Sequence, residues 1–325
     1  MDRRKALLAL AAIGAAGAAL AQPARKPARV GILFLSSPAS IASNIENLRA
    51  SLRSLGYVEG RNIEFELRSA DGRVERLPAL AAQLAASKVD LVIAGGGNAS
   101  TIAMARASST IPIVMAGSIG AVEAGIIDSL ARPGRNVTGF TVPSDLGAKQ
   151  LELVRELVPS PSRVVIFTRA DPAGAERRAK AKAMAQDFLQ MTLEFVEVAE
   201  PEDLAPAMAR ARSLKPNALL FGPDPLIFHQ KEQVLAFART SRIVAIYPVR
   251  DFVDSGGLLS YSISPAAVSR TLASYVDRIL KGAKPADLPV EEPREYELVF
   301  NMKTAKALGL TVPQSFLVRA NEVIQ

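Results

Sequence analysis

Short apolar runs alternate with longer segments whose apolar positions fall three and four residues apart. The first run, residues 30–35, closes on Ser36-Ser37-Pro38. The segment after it sets Ile45, Leu48, Leu52 and Leu55 on one helical face and stops at Gly56. The same alternation predicts strands at 63–67, 91–94 and 111–115, and helices carrying Leu77–Leu84, 99–106 and 123–130. After the turn signal Arg132-Pro133-Gly134-Arg135 comes an isolated extended stretch, 137–146. Beyond it the rhythm repeats: strands at 164–167, 193–198, 218–221 and 243–246, each followed or preceded by a helical segment. These helices are expected at about 151–157, 174–189, 202–214 and 228–238. A further extended stretch at 256–261 leads into a strong helix with Val268, Leu272, Tyr275, Val276, Ile279 and Leu280 on one face. A strand at 298–300 and a short helix at 303–308 end the pattern, and the pattern does not say which sheet that strand joins.

Uninterrupted apolar strands between helices imply parallel sheets covered on both faces. Two such sets around one extended stretch imply an α/β protein of two Rossmann-like lobes joined by hinge strands. The expected division is 29–139 plus about 262–290 for the first lobe, and 140–261 plus about 291–325 for the second. In open parallel sheets, ligands bind beyond the C-terminal ends of the strands. That rule nominates the loops at Ser36-Ser37, Gly96-Gly97-Asn98, Gly117-Ser118, Asp171, 222–224 and 247–250.

Composition narrows the chemistry. The chain has 325 residues, of which 49% are hydrophobic, so two real cores are affordable. It has no Cys, which removes disulfides, thiolate nucleophiles and Cys-based metal sites. His229 is the only histidine, so the usual multi-histidine zinc sites are out. No metal, cofactor or catalytic residue is expected. The formal charge is +7 and its basic residues are scattered. The one short run, Arg177, Arg178, Lys180 and Lys182, reads as a solvated helix face, and no nucleic-acid partner is expected.

The N-terminus has the anatomy of a secretory signal. Arg3-Arg4-Lys5 precedes an apolar, Ala-rich stretch to Leu20, and Ala19-Leu20-Ala21 fits a small-x-small cleavage site. Residues 1–21 are therefore expected to be removed, residues 22–28 to be a disordered lead-in, and the mature protein to be a soluble periplasmic monomer. Export through the Sec or the twin-arginine route stays open.

Several segments together resemble the exported substrate-binding proteins of ABC transporters, the tryptophan/tyrosine type. These are Leu55-Gly56-Tyr57-Val58-Glu59-Gly60-Arg61-Asn62, Arg76-Leu77-Pro78-Ala79-Leu80-Ala81, and Ser129 to Gly134 running into Asn136-Val137-Thr138-Gly139. Pro223-Asp224-Pro225, Gly256-Gly257-Leu258, residues 280–290 and residues 303–310 complete the set. The resemblance covers residues 29–325 and implies the type I periplasmic-binding-protein fold. It also implies a small-molecule ligand and an ABC permease in the inner membrane as partner. The chain departs from the family at two ligand loops. Gly97-Asn98 stands where Thr-Pro is common, and Gly120-Ala121 where Asp-Pro is common. The departure bears on the ligand more than on the fold.

Each candidate site residue has a functional and a structural reading. The loop Gly95-Gly96-Gly97-Asn98-Ala99-Ser100 sits between strand and helix, where backbone N–H groups favour an anion; a plain turn capped by Asn98 or Ser100 is the alternative. Ser37 and Ser118 end strands on the same rim and could bind a ligand oxygen or serve their own turns. Asp224 is held between two prolines and suits an ammonium or hydroxyl group, or starts a turn. Tyr247 could stack on a flat ligand, and Arg250 could clasp a carboxylate or pair with Asp251 or Asp254.

The combined reading is an exported solute-binding protein that closes two lobes over an amino acid or another small carboxylate, aromatic ones included. The first lobe would hold the carboxylate and Asp224 the amine. Two rivals remain: an exported α/β enzyme using the same cleft, and a ligand-sensing module for a membrane receptor. Against the enzyme stand the lack of Cys, the single His and the absence of a Gly-x-Ser-x-Gly elbow.

Overall fold

A computed structural model describes residues 26–143, 146–158, 162–169 and 174–325. The expected signal sequence, most of the expected lead-in and Asp171 lie outside the described residues. The chain forms two sheets. The first has five strands in the order β2-β1-β3-β4-β5: β1 Ala28–Phe34, β2 Ile63–Ser69, β3 Leu91–Gly95, β4 Ile113–Ile119 and β5 Val137–Val142. All four pairings in it are parallel. The second has seven strands, β12-β11-β10-β9-β8-β6-β7. They are β6 Arg163–Arg169, β7 Thr192–Val198, β8 Ala218–Phe221, β9 Val244–Tyr247, β10 Leu259–Ile263, β11 Tyr296–Asn301 and β12 Glu322–Ile324.

Both sheets are buried on both faces, which is why their central strands read as unbroken apolar runs. Leu91–Gly95, Ala218–Phe221 and Val244–Tyr247 are buried at every position. Around the first sheet, Leu33, Val92 and Met115 pack with helices α2 Leu77–Ala86 and α3 Asn98–Ala107 on one face. On its other face, Ile32, Ile93 and Val114 pack with α1 Pro38–Ser54 and α10 Pro265–Leu280. The second sheet has α6 Leu204–Ser213, α7 Pro225–His229, α8 Lys231–Ser241 and α9 Arg250–Asp254 on one side. Helix α4 Leu146–Leu157, the stretch after α5 Ala175–Met184, α11 Met302–Leu308 and α12 Gln314–Arg319 lie on the other.

The chain passes between the sheets three times: after β5, after β10 and before β11. Helix α10 follows β10 of the second sheet yet packs on α1, β4 and β5 of the first. The return segment runs alongside β5. Thr138 Oγ1 donates to the Leu288 carbonyl at 2.7 Å, Glu291 N to the Gly139 carbonyl at 2.9 Å, and Thr141 N to the Glu291 carbonyl at 2.9 Å. The stretch expected as a free hinge strand is thus an edge strand of the first sheet as far as Val142. Because β11 is antiparallel to β10, it begins at the end where β10 finishes. The crossings at β10 and β11 therefore both meet the second sheet at the end where its parallel strands terminate, and that end faces the first sheet.

Other expectations shift in detail. The sheets are not wholly parallel, since β11 runs antiparallel to β10. The 298–300 strand belongs to the second sheet, where β12, missed in the sequence, extends it. No helix forms at 123–130; that segment is turns, and β4 runs on through Ser118 by way of a register shift at Gly117. The long helix at 174–189 ends as α-helix at Met184 and continues as a π turn, Ala185–Leu189. The helix at 228–238 is two, α7 and α8, and Ala28 of the expected lead-in already pairs with Ile63.

Candidate functional site

On the first sheet the rim is built by glycines that only a bare backbone can satisfy. A Cβ on Gly95 would lie 2.4 Å from the Phe34 ring, and one on Gly96 would lie 2.9 Å from the Leu35 backbone. Gly96 and Gly97 hold φ of 85° and 96°, which turns the chain sharply from β3 into α3. No side chain caps α3. Asn98, expected as a ligand group or a cap, does not cap α3. Its Nδ2 donates to the Ile119 carbonyl at 2.9 Å, and its Oδ1 accepts from Ile119 N at 2.7 Å. The amide thereby ties the end of β3 to the end of β4.

Ser100, in the first turn of α3, is fully buried, and its Oγ has no hydrogen-bond partner among the described residues. A buried hydroxyl without a partner is uncommon. The loop therefore offers the uncapped end of a helix and one unsatisfied donor, which suits an anionic oxygen.

Ser118 lies inside the fold, not on the rim. It is 1% exposed, shares a hydrogen bond with Thr101 Oγ1 at 3.0 Å, and its carbonyl accepts from Thr141 Oγ1 at 2.8 Å. The register shift at Gly117 turned it inward, which no pattern of alternation could show. Ser37 caps α1, accepting from Ser40 N at 3.4 Å.

On the second sheet, Asp224 follows β8 and caps α7 by accepting from Leu226 N at 2.8 Å. Its carboxylate is also held by Arg169, the last residue of β6, with Nε to Oδ2 at 2.9 Å and Nη2 to Oδ1 at 3.4 Å. The two side chains are 26% and 15% exposed. The carboxylate expected to meet a ligand ammonium is thus paired with Arg169 of the same lobe. Arg169 was missed in the sequence. Its place after an apolar strand, beside a rim carboxylate on the neighbouring strand, becomes visible only once β6 and β8 are known to pair.

Tyr247, expected to stack on a flat ligand, packs into the core of the second sheet. It is 2% exposed, stacked between Phe221 at 5.6 Å and Phe252 at 5.3 Å. Burial pushes its phenol well above the usual range. Arg250 meets Glu322 of β12 through both terminal nitrogens, at 2.5 and 2.9 Å, and Asp254 at 3.1 Å. Its partners here are carboxylates of the chain, of which Asp254 was one alternative offered by the sequence and Glu322 was not. Of the expected residues, the rim keeps Gly97 and Asn98 with Ser37 on the first sheet, and Asp224 on the second.

Helices α1 and α7, from opposite sheets, approach each other. Two hollows lie away from that line. One, of about 220 Å³, is lined by Arg49, Tyr57 and Phe65 on the outer side of α1. The other, of about 640 Å³, lies between α3 and Arg135. Among the described residues, no group of three or more His, Asp or Glu side chains could hold a metal ion, and no helix is long and apolar enough to cross a membrane.

Comparison with known proteins gives the chain its relatives. The tyrosine-binding protein of Clostridioides difficile (strain R20291) is 26% identical over 289 residues, spanning 88% of this chain and 82% of that protein. The crystal structure of an ABC domain in complex with L-Trp, from Streptococcus pneumonia, superimposes with a TM-score of 0.82 at 25% identity, covering 92% of this chain and 100% of that one. A conserved domain protein of Vibrio cholerae gives a TM-score of 0.83 at 24% identity over the same shares. The fold is that of the type I periplasmic binding proteins, as a leucine-binding protein of Thermotoga maritima also illustrates at a TM-score of 0.54, with 16% identity over 81% of this chain and 78% of that one. The profile of the ABC transporter substrate-binding proteins matches residues 29–324, and the chain belongs to that family.

Proposed function

We propose that the protein is exported, captures a small carboxylate between its two lobes and delivers it to an ABC permease in the inner membrane. The observation that carries this reading is the rim at Gly96-Gly97 and α3, set where strands of the first sheet end and facing the second across three crossings. The ligand carboxylate would meet the α3 N-terminus and the orphaned Ser100 hydroxyl. The relatives named for tyrosine and L-Trp support a ligand of amino-acid size, either an amino acid or another small carboxylate. Closure would be a hinge motion at the three crossings, with contacts from both lobes favouring the shut form. The lobes would divide after Val142, not at 139–140 within β5, and again near 262 and 291.

The test is a thermal-melt panel on mature protein, unfolded and refolded to strip carried-over ligand. Amino acids, aromatic acids, dicarboxylates, sugars and nucleosides make up the panel. A ligand at about one hundred times its Kd adds roughly 2.7 kcal/mol and raises Tm by several degrees. A shift confined to carboxylates, with the ligand recovered unchanged, is the expected result. A shift only with sugars or nucleosides, or turnover of the bound compound, would overturn it.

A further inference from the structure

We propose that Arg169 is the anion-holding group of the second lobe. The ligand is then selected for a second anionic group at its far end, as in a short dicarboxylate, and not for an ammonium. The inference rests on the reading of the rim as a carboxylate site and says what the opposite lobe adds.

The argument starts from how the guanidinium is held. It has five N–H donors. Nε and Nη2 form a side-on fork on Asp224, at 2.9 and 3.4 Å, and Nη1 donates to the Ala199 carbonyl at 3.4 Å. One N–H on each terminal nitrogen remains without a partner among the described residues. Asp224 takes the Nε/Nη2 edge, so the Nη1/Nη2 edge is the one left to a ligand, and an N–H pair on that edge matches a carboxylate or similar oxyanion. Asp224 and Ala199 fix the plane of the group, so little freedom is lost when an anion docks.

The location fits the same use. Arg169 ends β6 at the face turned toward the first lobe, and Asp224 caps α7, the helix that meets α1 across the gap. Arg169 is the more exposed side chain of the pair, at 26% against 15% for Asp224. An arriving ammonium would meet a carboxylate already neutralised, with a fixed cation beside it. An arriving carboxylate would meet an open fork. Asp224 is therefore a positioning residue, and Arg169 the group that touches ligand.

The experiment is calorimetry on refolded mature protein with six probes: glutarate, its monoamide, succinate, L-tyrosine, 3-(4-hydroxyphenyl)propionate and tyramine. Wild type, Arg169→Gln and Arg169→Lys are compared. The expected result is that wild type prefers a dicarboxylate over the monoamide by about tenfold or more, the size of a lost charge-assisted bidentate contact. Arg169→Gln should abolish that preference, while the empty protein stays folded by far-UV circular dichroism with a melting temperature lowered by the loss of the Asp224 ion pair. Arg169→Lys should restore only part of it, because an ammonium has no fork. If L-tyrosine or tyramine binds as tightly as the dicarboxylates, or if Arg169→Gln keeps the wild-type ranking, the assignment falls while the cleft reading stands. If none of the six probes binds, the small-carboxylate reading fails and this inference with it.

Discussion

Gly139 carries a prediction whose size follows from its surroundings. It lies in β5 with φ of 119°, a region that side-chain-bearing residues rarely enter. A Cβ there would sit 2.6 Å from both N and O of Met115 on β4. Those atoms belong to a paired backbone, so they cannot swing aside as a flexible side chain would. Gly139→Ala thus carries a conformational cost of about 1–3 kcal/mol. Forcing β4 and β5 apart adds a further cost of about 1–3 kcal/mol. The sum, about 2–6 kcal/mol, corresponds to a fall in Tm on the order of 10 °C. Gly97→Ala is the control, because Gly97 has φ of 96° but nothing within 4 Å of the added Cβ. Only the conformational cost applies there, about 1–2 kcal/mol. Scanning calorimetry of both variants separates the terms. Equal losses in the two would refute the claim that close approach of β4, and not backbone conformation alone, makes Gly139 obligatory. The Gly139 carbonyl also accepts from Glu291 N, so Gly139→Ala should loosen the return crossing as well.

Asn98→Ala removes both hydrogen bonds to Ile119 and should cost about 1–3 kcal/mol, with weaker carboxylate binding, read by chemical denaturation and calorimetry. Ser100→Ala removes a buried hydroxyl that has no partner, so the empty protein should be as stable or up to about 1 kcal/mol more stable, while ligand affinity drops; a destabilised empty protein would contradict the orphan assignment. Tyr247→Ala should lose about 3–5 kcal/mol as the aromatic stack opens, whereas Tyr247→Phe should stay within about 1 kcal/mol and bind ligand normally. Burial raises the Tyr247 phenol above its unfolded value near 10, so its neutral form is favoured by folding. That stability is complete below about pH 10 and is lost as pH rises beyond it, where the unfolded chain ionises first. The wild-type Tm should therefore fall above about pH 10, and that of Tyr247→Phe less steeply; identical slopes would reject the assignment. Tyr261 and Tyr275, raised mainly by burial too, account for a remaining slope.

Residue order alone determined the alternation of strands and helices, the two-lobed α/β class and the rim on which a ligand would sit. The reason is local: buried parallel strands must be apolar throughout, and Gly96-Gly97 marks a turn that only glycines allow. Tertiary structure decided which rim side chains are free. Ser118 turned inward at a one-residue register shift, and Tyr247 filled a stack made by three neighbouring elements. Arg250 found Glu322, which is 72 residues distant. Arg169 met Asp224 because β6 and β8 are neighbours in the sheet although β7 separates them in the chain. Such pairings depend on strand order and register, which bring distant residues together, and periodicity within a segment carries no information about them.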